Sequence, residues 1–154
     1  MSVRSHLDDY VSIQCFKAVI TGVEDILGDE GTAAALISAG RKRGAAVAIA
    51  RGIAGTNPAP ESLAGLLDDA VGKNGTRLCQ VVESSLTPEG DYLIKTKETV
   101  CTSGEPAGSQ RTCTYTMGVV IGFLEQSYGV PLNGKHVANV LNGSPSDDFL
   151  IKKF

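Results

Sequence analysis

The chain has few of the residues from which catalytic and metal sites are usually built. Its 154 residues include no tryptophan, two histidines and 5% aromatic residues. Two histidines exclude a three-histidine zinc site. The four cysteines form no C-x-x-C pair and lie far apart: Cys15, Cys79, Cys101 and Cys113. We therefore predict neither a zinc knuckle nor a disulfide framework.

Charge and hydropathy exclude two further classes. The net charge of -3 and the pI near 5.3 argue against a nucleic-acid partner, because phosphate contacts need a dense lysine and arginine surface. The short cluster Arg41, Lys42 and Arg43 is interpreted as solvated helix surface. No apolar run reaches the roughly 20 residues that span a bilayer, and the first residues lack a signal-peptide pattern. We expect a cytoplasmic protein without a membrane span.

Length and periodicity predict a single domain over residues 1–154 that begins with two helices. Apolar residues recur at helical spacing from about Val11 to Leu27, and the following "GDEG" offers Asp29 as the N-cap of a second helix. The second helix carries small and apolar residues on one stripe: Ala33, Leu36, Ile37, Gly40, Gly44, Val47 and Ala48.

The middle of the chain changes to strand periodicity after a short helix predicted from Glu61 to Val71. The runs "RLCQVVESSL" and "DYLIKTKETV" are joined by "TPEG" and predict a β-hairpin. Near the C-terminus, "KHVANVL" and "DDFLIKKF" predict a second strand pair around "NGSPS".

Between the two strand pairs lies the most apolar long stretch, "CTYTMGVVIGFLEQSYG", which contains Gly118 and Gly122. On a helix, one stripe forms a core face: Cys113, Met117, Val120, Ile121, Leu124 and Tyr128. The glycines lie on the opposite side, where each costs about 0.5–1 kcal/mol relative to alanine. This groove indicates close approach by another helix, either of the same chain or of a second copy. We predict a homodimer in which the Gly118 and Gly122 face, or the Gly40 and Gly44 helix, packs closely.

The order of these elements resembles the 4-vinyl reductase domain family. A helix ending in "LG-DEG", the helix "AAALISAGRKRGAAVA", a hairpin, the stretch "CTYTMGVVIGFLEQSYGVPL" and a closing "NGSPSDDFLI" follow one another over nearly the whole chain. The family comprises small hydrocarbon-binding domains related in fold to TRAPP vesicle-tethering subunits. The resemblance implies an α+β fold: an antiparallel sheet of about four to five strands packed with N-terminal helices and one long buried helix. It also implies a largely apolar ligand cavity and frequent homodimers through helices.

The sequence departs from this family at a possible metal site. Many members carry "E-x-x-C" followed by "G-D-x-x-C-x-F", and cysteines of this kind can hold a metal. The corresponding stretch "HVANVLNGSPSDDF" has no cysteine, and Asp147 stands where the last one would be. We therefore expect no metal and no cofactor. Cys113 is interpreted as a small buried hydrophobe and His136 as a partly exposed polar residue.

These features favour a ligand-binding module for a small hydrophobic or tetrapyrrole-like molecule, bound between the helices and the sheet. Candidate wall residues have large or polarizable side chains: Phe16, Tyr92, Cys113, Tyr115, Met117 and Phe123. The alternative is that these side chains simply fill the core.

Two other functions stay open. One is a TRAPP-like assembly protein that binds no ligand, associates through the glycine helix and has a protein partner. The other is a vinyl-tetrapyrrole reductase or its helper, although the sequence shows no nicotinamide or flavin signature. We predict no catalytic residue, because neither a P-loop nor a dinucleotide fingerprint is present and no nucleophile is paired with a base by spacing. An enzyme is therefore the weaker interpretation.

Overall fold

The computed structural model describes residues 4–154, which form three α-helices and four β-strands. The helices are α1 (Ile13–Ala50), α2 (Pro60–Val71) and α3 (Thr114–Tyr128). The strands are β1 (Gln80–Leu86), β2 (Tyr92–Lys97), β3 (Leu132–Ala138) and β4 (Asp147–Lys153). None of these helices is both long enough and apolar enough to cross a bilayer.

The chain consists of two compact units, and the boundary between them lies within α1. The N-terminal unit ends at Thr32, and the C-terminal unit comprises Ala33–Phe154. The sheet, α2 and α3 all belong to the C-terminal unit. That residues 1–154 act as one domain stays a prediction.

The long helix α1 is interrupted at Gly28. This residue has φ 73° and ψ 172°, a left-handed φ that glycine adopts without a Cβ clash. The hydroxyl of Thr32 donates to the Gly28 carbonyl at 2.7 Å on the next turn. The predicted end of the first helix at Leu27 is confirmed. The predicted Asp29 cap is wrong, because Gly28 is the non-helical residue and Asp29 already lies in the following turn.

The four strands form one antiparallel sheet in the order β1-β2-β4-β3. The predicted hairpin joins β1 to β2, with Gly90 at φ 82° in its turn. The strand β3 begins at Leu132 rather than at Lys135 and pairs with β4. Along β2, Tyr92, Ile94 and Thr96 are buried, as their alternation indicates. The α+β class and its antiparallel sheet are confirmed.

Both edge strands of the sheet are bonded by side chains of helices. At β1, the Asp68 carboxylate of α2 accepts from the Val81 backbone N–H at 2.8 Å. At β3, Glu125 accepts from the Leu132 N–H at 2.9 Å, and Arg41 donates to the Leu132 carbonyl at 2.7 Å. Arg41 is half-buried, so the prediction that it lies on solvated helix surface is wrong. The prediction is confirmed for Lys42 and Arg43, which are exposed.

The helix α3 is buried on two sides within the C-terminal unit. On the sheet side, a Cβ added to Gly134 of β3 would lie 2.9 Å from Cδ1 of Ile121. On the other side, a Cβ on Gly118 would lie 2.6 Å from the Ile37 carbonyl oxygen of α1, and one on Gly122 would collide with the Arg41 carbonyl. Helix α3 therefore lies between the sheet and the second half of α1.

The glycines of α1 complete the same contact. A Cβ on Gly40 would lie 2.9 Å from the Val119 backbone nitrogen, and one on Gly44 would lie 2.8 Å from that of Phe123. The glycines of α1 face the backbone of α3, and the glycines of α3 face the backbone of α1. Cβ atoms at these positions would therefore force the two helices apart. The close approach indicated by the sequence lies within one chain, and an association of two copies would need another surface.

Candidate functional site

A buried polar cluster lies at the start of α3, where β3 and β4 face that helix. Its centre is Asp147, the first residue of β4, whose side chain is 1% exposed. One carboxylate oxygen, Oδ2, accepts from the hydroxyls of Thr99 at 2.6 Å and Thr102 at 3.0 Å. The other, Oδ1, accepts from the Val140 N–H at 3.1 Å and lies 3.2 Å from Nε2 of His136. Both oxygens are thus fully engaged.

His136 of β3 connects this carboxylate to the beginning of α3. Its Nδ1 accepts from the backbone N–H of Cys113 at 3.3 Å, which assigns the ring proton to Nε2 and makes Nε2 the donor to Asp147. The imidazole also meets the ring of Phe149 edge-on, with centroids 5.3 Å apart. The residue as a whole is half-buried, in agreement with the expected partial exposure, but its side chain is only 4% exposed.

Hydrogen bonding sets the charge state of the cluster. Burial disfavours the charged carboxylate, but the bonds from His136, Thr99, the Val140 N–H and Thr102 together outweigh it. The pKa of Asp147 is consequently lowered. Asp147 is therefore a carboxylate at neutral pH.

A disulfide joins Cys101 to Cys113 beside this cluster, with a Cα to Cα distance of 5.3 Å. The sequence predicts no disulfide framework and does not indicate this single bond. Cys113 is buried as expected but bridged rather than a free thiol. Disulfides need Cα atoms within about 4.4–6.8 Å. The two cysteines are separated by 12 positions across a polar loop, so only folding of that loop brings them together. Cys15 and Cys79 are free.

Three side chains at the cluster are of the types that bind metal ions. The side-chain ligand atoms of Cys113, His136 and Asp147 lie within 4.8 Å of one another. A cysteine ligand must be a thiolate, but Cys113 Sγ is bonded to Cys101. Both nitrogens of His136 and both oxygens of Asp147 already take part in hydrogen bonds. In this state the residues do not fit a metal ion.

The proposed wall residues fall into separate groups. Four lie on or next to α3, with Cys113 and Met117 on one side and Tyr115 and Phe123 turned toward another. Met117 and Phe123 are buried, whereas Tyr115 is half-buried. Phe16 is half-buried and belongs to the N-terminal unit.

The sixth wall residue, Tyr92 of β2, stacks on Tyr128 of α3 with ring centroids 5.3 Å apart. The Tyr128 hydroxyl donates to the Pro58 carbonyl at 2.7 Å. Burial, with smaller contributions from Tyr92, raises the pKa of Tyr128 above its ordinary value. This aromatic pair lies at the C-terminal end of α3, which Tyr128 ends. The polar cluster lies at the other end, where Cys113 precedes the helix.

Sequence reasoning did not identify Thr99, Thr102 and Cys101 as members of the cluster. Two signals were available. Asp147 stands at a position where a cysteine is usual in the resembled family, and "TVCT" places two hydroxyls around Cys101. Neither signal indicates which side chains meet, since that depends on the register of β3 against β4.

Comparisons with known proteins show the fold. No family model matches the sequence, and no curated protein matches it. Among solved structures, the phenol-responsive sensory domain of the transcription activator PoxR, solved with phenol, has a TM-score of 0.70 at 14% identity and covers 93% of this chain and 75% of that one. Trafficking protein particle complex subunit 3 from Naegleria fowleri, covalently bound to palmitic acid, has a TM-score of 0.63 at 11% identity, with 92% of each chain covered. The chain therefore has the fold that these two proteins share.

Proposed function

We propose that the chain is a cytoplasmic ligand-binding module for a small hydrophobic molecule, of the size and chemistry of a phenol. The observation that supports it is the shared fold over 93% of the chain with a sensory domain solved with phenol. An aromatic ring needs apolar walls on both faces and few polar partners. Apolar side chains of this kind are buried around α3, with Met117 and Phe123 on different sides of the helix and Phe149 in β4.

Met117 is the wall residue best suited to admit such a ligand. It is unbranched and polarizable, so it can change rotamer at low cost and contact an aromatic ring through sulfur. It lies one helical turn after Cys113, close to the polar cluster. A ligand beside Met117 would be buried and one helical turn from Cys113, whose N–H bonds to His136 of the polar cluster.

Calorimetric titration with phenol tests the proposal, with palmitate as a second probe. Binding of one equivalent of phenol to the wild type is expected. Met117→Phe should fill the space and weaken binding about 10-fold or more, whereas the volume-conserving Met117→Leu should bind nearly as well. The melting temperature of each variant shows whether it is folded. The proposal fails if neither probe binds and protein purified from its host carries no small molecule by native mass spectrometry.

A second candidate function is assembly, supported by the similarity in fold to a trafficking complex subunit. In that case the apolar interior is filled by side chains and the surface carries the function. Isolation of a stoichiometric protein partner from host lysate, without bound ligand, is the result that favours assembly over sensing. Phenol binding to the isolated chain favours sensing.

We also propose that two copies associate, through the N-terminal unit rather than through the glycines. The first half of α1 carries an exposed, uncharged stripe at spacings of four, three and four: Cys15, Val19, Gly22 and Ile26. Val19 is 65% exposed and Ile26 is 83% exposed. This spacing is typical of helix pairs that pack along a seam.

Light scattering at micromolar concentration tests the association. The wild type should be a dimer, and Ile26→Lys should be monomeric because it places a charge in the seam. Thr21→Lys, on the same helix but away from Ile26, is the matched control and should stay dimeric. A monomeric wild type, or a dimeric Ile26→Lys variant, would contradict this surface.

A further inference from the structure

A polar loop links the sheet to α3 and is attached to the rest of the C-terminal unit by hydrogen bonds and a disulfide. Residues 102–112 form a polar loop with no helix or strand. Within this loop, the Gly108 N–H donates to the Leu141 carbonyl at 2.7 Å, and the Arg111 carbonyl accepts from the side chain of Asn139 at 2.9 Å. Arg111 also pairs with Glu105 at 2.7 Å inside the loop. The loop is closed covalently by the Cys101–Cys113 disulfide.

This disulfide joins the two halves of the polar cluster. Cys101 lies next to Thr102, whose hydroxyl bonds to Asp147. Cys113 precedes α3, and its N–H bonds to His136, which in turn bonds to Asp147. The covalent bond therefore closes a ring that runs from the loop through the carboxylate and the imidazole to the start of α3. After loss of the bond, the loop backbone is the one covalent path between Cys101 and Cys113, and hydrogen bonds hold the two ends of the loop at the cluster.

A metal ion bound by Cys113, His136 and Asp147 would link the start of α3 to β3 and β4. These side chains already have other bonding partners. A metal would need the Cys113 thiolate and lone pairs of His136 and Asp147, and none of these is available in the bridged state. We propose that the Cys101–Cys113 disulfide holds these elements together in this chain, so that the order of residues 98–113 and of the first turn of α3 responds to thiol redox conditions and, while the bond is intact, not to metal supply.

The redox step is an ordinary thiol–disulfide exchange. An external dithiol supplies two electrons and two protons, the S–S bond breaks, Cys101 and Cys113 become thiols, and the reductant becomes a disulfide. Cys113 is fully buried and Cys101 nearly so, whereas Ser103, Gly104 and Gly108 of the loop are exposed. Exchange therefore requires local opening of the loop. Disulfides are rare in reducing compartments and, where they occur, are usually transient, so in the predicted cytoplasmic location the bond would form and break with redox conditions.

The experiment compares a reductant with a chelator on the oxidised 154-residue chain carrying Cys15→Ser, which removes the exposed thiol. Dithiothreitol should lower the melting temperature by about 5–10 °C, as expected for loss of a crosslink closing a loop of this length. It should also speed amide hydrogen exchange in residues 98–113 by about 10-fold or more, ahead of the sheet. Phenanthroline should change neither measurement. The same chain with Cys101→Ser and Cys113→Ser is the control, and dithiothreitol should not affect it.

Three results would overturn the proposal. Peptide mapping under non-reducing conditions could find free thiols at Cys101 and Cys113 in protein exposed to air. One equivalent of metal could co-purify and phenanthroline could destabilise the chain. Reduction of a mapped disulfide could also leave melting and exchange unchanged. If the double serine variant does not fold, reduction of the bridged chain in place, followed by exchange, decides the question without it.

Discussion

The carbonyl oxygen of Ile37 lies 2.6 Å from the position that a Cβ on Gly118 would occupy. Real Cβ atoms do not approach an oxygen so closely, and this oxygen is backbone and cannot swing aside. Helices α1 and α3 therefore contact one another through backbone within one chain. The two glycines that weaken α3 as an isolated helix are what allow it to be buried on both sides.

Alanine at Gly118 or Gly122 should consequently destabilise the fold. Although alanine favours a helix, the forced separation from α1 should leave a net loss of about 1–3 kcal/mol in the free energy of unfolding by urea. Gly65 of α2 is the matched control, since it is exposed and a Cβ there meets nothing within 4 Å. Gly65→Ala should stabilise the chain by about 0.5–1 kcal/mol. A Gly118→Ala variant as stable as the wild type would contradict the backbone contact.

The carboxylate of Asp147 should contribute stability that acid removes. The pKa of Asp147 is lowered in the folded chain. Its stabilising contribution is therefore fully present above the pKa of an unfolded aspartate, about 4, and is lost as the pH falls through the lower pKa of the folded state. Asp147→Asn should cost about 2–4 kcal/mol at pH 7, because it leaves buried donors without their charged acceptor.

Urea unfolding from neutral pH to about pH 3 measures this effect, since that range crosses the ordinary aspartate value. The difference between the wild type and Asp147→Asn should shrink as the pH falls. Glu61→Gln, at an exposed position of α2, is a control for loss of one carboxylate at the surface. A wild-type advantage over Asp147→Asn that is constant at every pH would show that the charge of Asp147 is not the cause.

The four cysteines should differ sharply in reactivity toward iodoacetamide. Cys15 is exposed in the single chain, so it should be alkylated within minutes in the monomeric Ile26→Lys variant and more slowly in a wild-type dimer whose seam covers it. Cys79 is buried, and burial with the nearby charges of Asp68 and Asp147 raises its pKa to about 12, so it should react only after unfolding. Cys101 and Cys113 should be protected until they are reduced. Mass spectrometry of peptides at successive times gives all four rates, and fast native labelling of Cys79 would contradict its burial.

Local sequence predicts the elements of this fold well. The end of the first helix at Leu27, the hairpin turn and the burial of alternate residues along β2 follow from helical and strand periodicity and from turn residues. The break itself, however, lies at Gly28 and not at the predicted Asp29 cap. Gly118 and Gly122 indicated a close helix contact in the same way, from their helical spacing. Whether the partner helix belongs to the same chain depends on how α1 and α3 are placed in space, and periodicity carries no information about that.

The polar cluster could not be predicted in the same way. His136 and Asp147 meet because β3 pairs with β4 in a register that sets His136 opposite Phe149, close to the start of β4. Cys101 and Cys113 meet because the intervening loop folds back. Arg41 was interpreted as surface from its charged neighbours, yet its guanidinium reaches the Leu132 carbonyl across a long sequence separation. Each of these contacts is tertiary, whereas the sequence patterns are local.

Methyl-labelled methionine offers the most direct measurement of the proposed ligand binding. The chain contains two methionines, of which Met117 is buried on α3 and Met1 lies outside the described residues. In a carbon-13 methyl NMR titration with phenol, the Met117 signal should shift and saturate at one equivalent, while the Met1 signal stays in place. A Met117 signal that does not move up to millimolar phenol, in a chain shown to be folded by its other resonances, would contradict the ligand-binding account.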